Sequence, residues 1–141
     1  MKEKKITKAE EKAELQKLRR KCLYLWIAEV KRKANGKCEY CSTSEKRRNA
    51  HHIEGYTLNK DLRYDPRNGV HLCTTCHKFG RFSAHKSFVF MYLLMTGKRK
   101  RDLQYLIEKS HVSIPQTKEL LLETIKNLTP ETRLILIKRV K

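Results

Sequence analysis

The chain has few acidic residues for its number of cations. Its 141 residues include 33 lysines and arginines but only 15 aspartates and glutamates, which gives a formal net charge of +18. The cationic excess is spread over residues 1–37, 38–96 and 97–141. It favours a polyanionic partner, because phosphates neutralised by protein cations release condensed counterions. A cationic protein without such a partner is the alternative.

Long apolar runs are also missing. No stretch of about eighteen apolar residues exists, so no transmembrane helix and no membrane partner is predicted. The N-terminal stretch MKEKKITKAEEKAELQ lacks the apolar centre of a signal peptide. We therefore expect a cytoplasmic protein, in which cysteines are more often metal ligands than disulfides. No repeat or sustained heptad favours a particular assembly.

An amphipathic helix is predicted near the N-terminus, after frayed residues 1–12. Apolar residues recur there at helical spacing, at Leu15, Leu18, Cys22, Trp26 and Val30. The dipeptide Asn35-Gly36 is typical of a left-handed helix end. Because Cys22 lies on the apolar stripe, we expect it to be a packed core thiol.

Residues 38–85 contain nearly all the cysteine and histidine. Short strands are predicted at 50–53 and 70–72, with turn residues such as Asn59 in the connection. After Cys76 we expect a helix that is interrupted near Gly80 and resumes until Gly97. The following basic segment GKRKR, residues 97–101, is predicted to be an exposed connector.

Three short helices are expected towards the C-terminus. Ser113 and Gln116 have capping-box spacing at the start of the second, and Thr129 followed by Pro130 marks the third. Their apolar residues are expected to pack on the central part of the chain: Leu120, Leu121, Ile125, Leu134 and Ile137. A helix-turn-helix within residues 102–127 is an alternative reading.

Two Cys-x-x-Cys pairs, Cys38/Cys41 and Cys73/Cys76, point to a metal. A two-residue gap lets both thiolates of a pair reach one ion, and four thiolates complete a tetrahedral zinc shell. A redox-active dithiol is the rival interpretation of either pair alone, but two matching pairs favour structural zinc. We expect this Zn²⁺ to contribute much of the folding free energy.

The interval between the pairs holds two adjacent histidines, His51 and His52, and an asparagine, Asn68, while His77 directly follows the second pair. The segments AHHI, LRYDPRNGVHLC and TTCHKF together resemble the zinc-containing branch of the HNH nuclease family, especially its phage-type members. The resemblance covers roughly residues 37–86 and does not extend to the flanking helices.

The resemblance implies an α+β fold with a small ββα-metal, treble-clef-like core and a structural zinc. That core would occupy residues 37–96. A basic N-terminal helix would precede it over residues 1–36, and a basic helical extension would follow over residues 97–141. If the gene is phage-encoded, the host cytoplasm is the expected location.

The resemblance also implies roles for the polar residues. His51 and His77 would bind a catalytic divalent metal (Mg²⁺, Mn²⁺, Ni²⁺ or Zn²⁺), and His52 would be the general base. Asn68 would hold the loop that orients this base. Imidazole suits deprotonation of water near neutral pH, and a cation stabilises charge on the phosphate.

A second histidine on the helix is harder to assign. Relatives often have one four residues after the first, where this chain has Arg81. His85 is the next candidate, and it reaches the same ion only if Gly80 breaks the helix; otherwise it would contact phosphate.

Some residues have structural readings as well. Asn68-Gly69 is a common turn dipeptide, His52 is also consistent with a hydrogen-bonded strand histidine, and His77 with a replacement zinc ligand. Adjacent strand residues point to opposite faces, so His51 and His52 share one site only if the strand bends or bulges.

Two further histidines and a set of cations complete the candidates. His71 is expected at the surface or against DNA, and His111 at the surface. Phosphate contacts are expected from basic residues around the proposed site, although any one such residue is more often simply solvated: Lys46, Arg47, Arg48, Arg63, Arg67, Lys78 and Arg81.

The resulting hypothesis is a metal-dependent endonuclease that hydrolyses DNA. One alternative is a non-catalytic zinc module that binds DNA or RNA, which explains the cysteines and the charge but not the coincidence of the histidines. Another is a packaging or recombination accessory protein of a phage or mobile element, which would bind a protein and cleave nothing.

Overall fold

The computed structural model describes residues 6–55 and 62–130, which form an α+β fold. Helix α1 (Lys8–Lys33) is followed by strand β1 (Arg48–His52), a 3-10 turn (Pro66–Asn68) and strand β2 (Gly69–Cys73). A single π-helical turn (Thr75–Phe79) then precedes helices α2 (Phe88–Lys98), α3 (Lys100–Lys109) and α4 (Lys118–Leu128). The helix predicted after Thr129, like the turn at Asn59, falls outside the described residues.

Two compact units make up the chain: one runs from Trp26 to Pro115, and the other combines the residues before Trp26 with those after Pro115. In the latter, Cys22 is fully buried and its thiol donates a hydrogen bond to the Leu121 carbonyl (3.4 Å). The prediction of a packed core thiol is confirmed. Leu121 is buried in the same unit as Cys22, whereas the sequence predicted that it packs on the central part of the chain.

Helix α1 begins at Lys8, earlier than predicted. The Thr7 hydroxyl accepts a hydrogen bond from the Glu10 amide (3.2 Å), and the Glu10 carboxylate accepts one from the Thr7 amide (2.8 Å). This reciprocal capping box orders a segment that was expected to fray. At the other end Asn35 (φ 50°) and Gly36 (φ 67°) are left-handed, as predicted.

Strands β1 and β2 form an antiparallel pair in which His51 faces Val70 and His52 faces Gly69. A Cβ on Gly69 would lie 2.2 Å from Val30 Cγ2 and 2.7 Å from a ring carbon of Trp26. Only glycine therefore lets α1 approach the sheet this closely. The core on this sheet is formed by Val70, Leu72, Phe90 and Leu94 together with Cys38, Cys73 and Cys76.

Gly80 ends the π-helical turn in an extended conformation (φ −64°, ψ 151°), so the predicted helix interruption is confirmed. The chain then folds back on the turn. The Ala84 amide donates to the Cys76 carbonyl (2.8 Å), and the His85 amide donates to the His77 carbonyl (3.2 Å). These bonds hold the segment before α2 against the second cysteine pair.

The GKRKR segment is exposed as predicted except at Arg99, but its exposed residues belong to α2 and α3 and not to a connector. Arg99 lies between the two helices with only 11% of its side chain exposed. Its guanidinium forms ion pairs with Glu39 (2.8 Å) and Asp102 (2.5 Å). It also donates to the Gly69 carbonyl (3.1 Å) and the Arg67 carbonyl (3.1 Å). A largely buried cation that contacts carboxylates and carbonyls joins the helix junction to the sheet.

The capping prediction for the second C-terminal helix is wrong. Helix α4 begins at Lys118, and its N-cap is Thr117 and not Ser113. The Thr117 hydroxyl accepts a hydrogen bond from the Leu120 amide (3.3 Å). The connection over residues 110–117 is longer than the turn of about three or four residues in a helix-turn-helix. Among the described residues, no helix is long and apolar enough to cross a membrane.

Candidate metal centres

The four cysteines of the two pairs converge, with all sulfur atoms within 4.8 Å of one another. Cys41 Sγ and Cys73 Sγ are 3.8 Å apart. A tetrahedral ion with metal–sulfur distances of about 2.3 Å places its ligands about 3.8 Å apart, so this spacing fits zinc. The cluster can therefore hold a structural metal such as zinc.

Each cysteine pair is shaped by its own backbone. In the first, Ser42 is left-handed (φ 63°) and its amide donates to the Cys38 carbonyl (2.8 Å). In the second, Cys73 ends β2 and Cys76 lies in the π-helical turn, where the Cys76 amide donates to Cys73 Sγ (3.5 Å). Amide donors that point at sulfur favour the thiolate, the form that binds metals.

The thiol pKa values differ within the cluster. Burial opposes ionisation of Cys73 and raises its pKa. Hydrogen bonds from Cys76 and from the neighbouring thiols outweigh burial and lower the pKa of Cys73 to about 7. Burial and the adjacent Cys73 raise the pKa of Cys76. One thiol is thus poised to ionise near neutral pH, and metal binding would drive off the remaining protons.

A second cluster is formed by three histidines on three different segments. His51 belongs to β1, His77 to the π-helical turn and His85 to the segment before α2, and their ring nitrogens lie within 4.8 Å of one another. His77 Nε2 is 3.2 Å from His51 Nδ1 and 3.1 Å from His85 Nε2. The break at Gly80 therefore brings His85 back to His77.

Hydrogen bonds alone do not account well for this convergence. A ring nitrogen carries either a proton or a lone pair, so His77 Nε2 cannot donate to one neighbour and accept from the other. Three lone pairs directed at one cation do account for it. Metal–nitrogen distances of about 2.0–2.1 Å in a tetrahedral shell give ligand separations of about 3.3 Å, close to both distances here.

The pKa values of His51 and His77 favour the neutral form of these two rings. Burial is the main cause that lowers the pKa of His51 to about 4, and the charges of His77, His85 and His52 add to it. Burial and the charge of His85 also lower the pKa of His77. Neutral rings have the lone pair that a metal requires, so this site is compatible with metal binding near neutral pH.

The two clusters differ in the number of ligands. Four cysteines close a tetrahedral shell, as in structural sites, whereas three histidines leave a position for water or substrate. His85 is exposed, so solvent reaches the histidine site from its side. The histidine cluster is thus compatible with an open metal site, and the cysteine cluster with a closed one.

His52 lies outside the histidine cluster. Its strand pairs regularly through both histidines, so the bulge that would bring their side chains to one face is not present in β1. The His52 ring stacks on Trp26 with centroids 3.9 Å apart and planes inclined by 8°. Trp26 in turn donates from Nε1 to the Asp65 carbonyl (2.9 Å).

The tautomer of His52 follows from its hydrogen bond. Its Nε2 is 2.8 Å from the Arg63 carbonyl oxygen, which can only accept, so Nε2 carries the proton and Nδ1 the lone pair. Burial lowers the pKa of His52, although the hydrogen bond to Arg63 opposes this shift. The ring is thus held in one orientation and in its neutral form near pH 7.

Asn68 joins the two ends of the connection between the strands. Its Oδ1 accepts from the Glu54 amide (2.6 Å), and its Nδ2 donates to the carbonyls of Glu54 (3.2 Å) and Leu62 (3.1 Å). The side chain is fully buried. Because Leu62 directly precedes Arg63, these bonds also place the carbonyl that holds His52.

The remaining histidines are positioned differently from each other. His71 is 3% exposed and its Nδ1 lies 3.0 Å from the Lys37 carbonyl, so the prediction of a surface or DNA-facing residue is wrong. The strand period places its side chain opposite Val70, but other parts of the chain cover that face. His111 is exposed, as predicted.

The predicted phosphate-binding cations form two groups. Lys46, Arg47, Lys78 and Arg81 are exposed. Arg48 donates to the carbonyls of Ser44 and Lys46, and Arg67 pairs with Asp65 (2.9 Å) above the Tyr105 ring. Arg63 is half-buried and presents its carbonyl to His52.

Two residues of this region were not recognised in the sequence as more than packing or surface residues. Trp26 stacks on His52, but the helical spacing of its apolar stripe indicates only burial. Arg99 joins the helix junction to the sheet, but it stands in a run of cations whose sequence indicates solvated side chains.

No family model, curated protein or solved structure matches the chain.

Proposed function

We propose that the protein is a metal-dependent endonuclease of the HNH, ββα-metal type that hydrolyses phosphodiester bonds in DNA. One observation carries the proposal: three histidines converge at an open site, and the residue next to His51 is a fourth histidine held in a fixed tautomer. The closed four-cysteine cluster would hold zinc as a structural ion.

His51, His77 and His85 would hold the catalytic divalent cation. When bound, it would stabilise negative charge on the attacked phosphate and on the departing 3′ oxygen. The geometry supports three nitrogen ligands and a vacancy for a phosphate oxygen, because the ring nitrogens converge from three segments and His85 faces solvent.

His52 would be the general base. Its Nδ1 lone pair would accept a proton from water, whose oxygen forms a bond to phosphorus while the bond from phosphorus to the 3′ oxygen breaks. The 3′ oxygen takes a proton from solvent, which leaves a 5′ phosphate and a 3′ hydroxyl. A lowered pKa keeps His52 able to accept this proton near pH 7.

The regular strand places His51 and His52 on opposite faces, which this mechanism has to accommodate. β1 ends at His52, so a phosphate that lies across the end of the strand would be within reach of both faces. The charge of His52 is among the causes that lower the pKa of His51, which places the two rings within electrostatic range.

Asn68 would be a positioning residue, because it acts on His52 only through Leu62 and Arg63. Exposed Arg47, Lys78 and Arg81 would contact DNA phosphates, and the basic helices would add affinity. Arg67 would contribute less, since its charge is already paired with Asp65.

A non-catalytic zinc module that binds DNA is the second candidate. The stacking of His52 on Trp26 favours it, because a structural histidine would show the same packing and the same carbonyl partner. This candidate keeps both metal-compatible clusters and the positive charge but predicts no strand scission.

Supercoiled plasmid and added Mg²⁺, Mn²⁺ or Ni²⁺ distinguish these candidates, with zinc content and circular dichroism checked first. We expect the wild type to nick or linearise the plasmid, EDTA to stop this, and added cation to restore it. His52→Gln retains an amide donor for the Arg63 carbonyl but no base, so cleavage should fall by about a hundredfold or more.

His111→Gln is the matched control, because that histidine is exposed and outside both clusters. It should cleave like the wild type. If the wild type shifts DNA but cuts neither plasmid nor branched or single-stranded substrates with any of the cations, the non-catalytic module replaces the nuclease.

A further inference from the structure

Exposed aromatic side chains and cations alternate over residues 78–92, which we call the aromatic–basic segment. Phe79 is 73% exposed, Phe88 is 82% exposed and Tyr92 is 59% exposed. Three exposed cations belong to the same stretch: Lys78, Arg81 and Lys86. Single exposed apolar residues are ordinary, but several aromatics among cations indicate a binding surface.

The charge of this region has one sign. No acidic residue occurs between Asp65 and Asp102, although this interval contains the whole aromatic–basic segment. A protein partner usually meets a surface of mixed charge, whereas a segment whose charged residues are all cations favours a polyanion. Charge complementarity therefore points to nucleic acid.

The first part of the segment is held in place, so Phe79 is presented on ordered backbone. The Gly80 amide donates to the Thr75 carbonyl (2.9 Å), and the Lys86 ammonium donates to the Phe79 carbonyl (3.2 Å). The segment begins directly after His77 and includes His85, and both of these residues belong to the histidine cluster. A strand bound here would pass beside that cluster.

Exposed rings select between paired and unpaired DNA. In a duplex each base stacks on its neighbours, so its flat face is inaccessible to a side chain. Unpaired bases offer that face, and stacking on aromatic residues with cations along the backbone is how proteins bind single strands without reading sequence.

We propose that the aromatic–basic segment binds unpaired DNA, with Phe79 and Phe88 as stacking platforms and Lys78, Arg81 and Lys86 as phosphate contacts. If the protein is the proposed nuclease, its substrate would contain a single-stranded or flapped region, and this part of the inference rests on the proposed function. The binding itself is measurable without cleavage.

The test is fluorescence anisotropy with the full chain and a labelled mixed-sequence oligonucleotide, either single-stranded or annealed to its complement. No divalent cation is added. We expect Phe79→Ala and Phe88→Ala each to weaken single-strand binding by about tenfold, the loss expected from one stacked base. Duplex binding should change less than about twofold, since phosphate contacts remain.

Tyr24→Ala is the matched control, because Tyr24 is also 73% exposed but lies on α1 outside the segment. It should bind both probes like the wild type. Phe79→Trp should retain single-strand binding, since the ring remains. Circular dichroism of each variant confirms that the fold is retained.

Equal single-strand affinity of Phe79→Ala, Phe88→Ala and Tyr24→Ala would overturn the inference, as would equal losses on both probes. Altered self-association of Phe88→Ala with unchanged DNA binding would also overturn it and assign the rings to a protein contact.

The same variants are then assayed for cleavage of a duplex, a single strand and a flap. Cleavage by the wild type with unchanged binding by the variants refutes only this inference. Loss of single-strand binding in the variants, without cleavage by the wild type, refutes only the nuclease.

Discussion

Replacement of Asn68 by alanine tests whether this buried amide organises the region around His52. The substitution removes three hydrogen bonds, two to Glu54 and one to Leu62, and leaves their backbone groups without this partner. A buried group that loses its partner costs about 1–3 kcal/mol, and a partly exposed one costs less because water replaces the partner.

The bond to Leu62 is buried, and those to Glu54 are partly buried. We therefore expect Asn68→Ala to lower the free energy of unfolding by about 2–5 kcal/mol. A typical domain has about 5–15 kcal/mol, so the zinc-loaded variant should still fold. Urea denaturation at constant zinc concentration, followed by circular dichroism and Trp26 fluorescence, measures this loss.

The same substitution should reduce cleavage per folded molecule by more than about tenfold, because Leu62 and Arg63 are no longer held and His52 loses its orientation. Asn127→Ala, at an exposed asparagine of α4, is the control and should change stability by less than about 0.5 kcal/mol. Equal stability of the two variants would refute the packing argument. A destabilised Asn68→Ala with normal cleavage would refute the positioning role.

Three further outcomes are expected. Gly69→Ala should lower the free energy of unfolding by about 1–3 kcal/mol and raise the quenching of Trp26 fluorescence by solvent, because the added Cβ would clash with Val30. Wild-type stability would contradict the close approach of α1 to Gly69. Cys41→Ala should lower bound zinc, measured by atomic absorption after desalting, while unchanged zinc content and melting temperature would rule out a four-cysteine site. Without a cation at the histidine site, stability should fall as pH drops from about 6.5 to about 4, since unfolding lets His51 take up a proton that the folded state excludes until its pKa of about 4. His51→Gln should reduce the change in the free energy of unfolding over this pH range by at most about 3 kcal/mol, and by less because the ring is partly exposed. An unchanged pH dependence would contradict the lowered pKa of His51.

Features that depend on neighbouring residues were predictable from the sequence. Asn35-Gly36 ends α1 because left-handed backbone is a local preference. Gly80 interrupts the chain after Cys76 in an extended conformation, and a Cβ there would lie 2.8 Å from the Thr75 carbonyl oxygen. The two Cys-x-x-Cys pairs indicated a shared metal site because their spacing alone lets each pair reach one ion, and the four sulfurs do converge.

Contacts between distant segments were decided only by the tertiary structure. The period of β2 places His71 opposite Val70 but does not reveal that its ring lies at the Lys37 carbonyl, and a run of cations does not reveal that Arg99 is largely buried between carboxylates. Likewise the apolar stripe of α1 predicts that Trp26 is buried, but not that it stacks on His52. Short patterns constrain backbone conformation over a few residues, whereas side-chain partners depend on how the elements pack, since packing joins residues far apart in the chain.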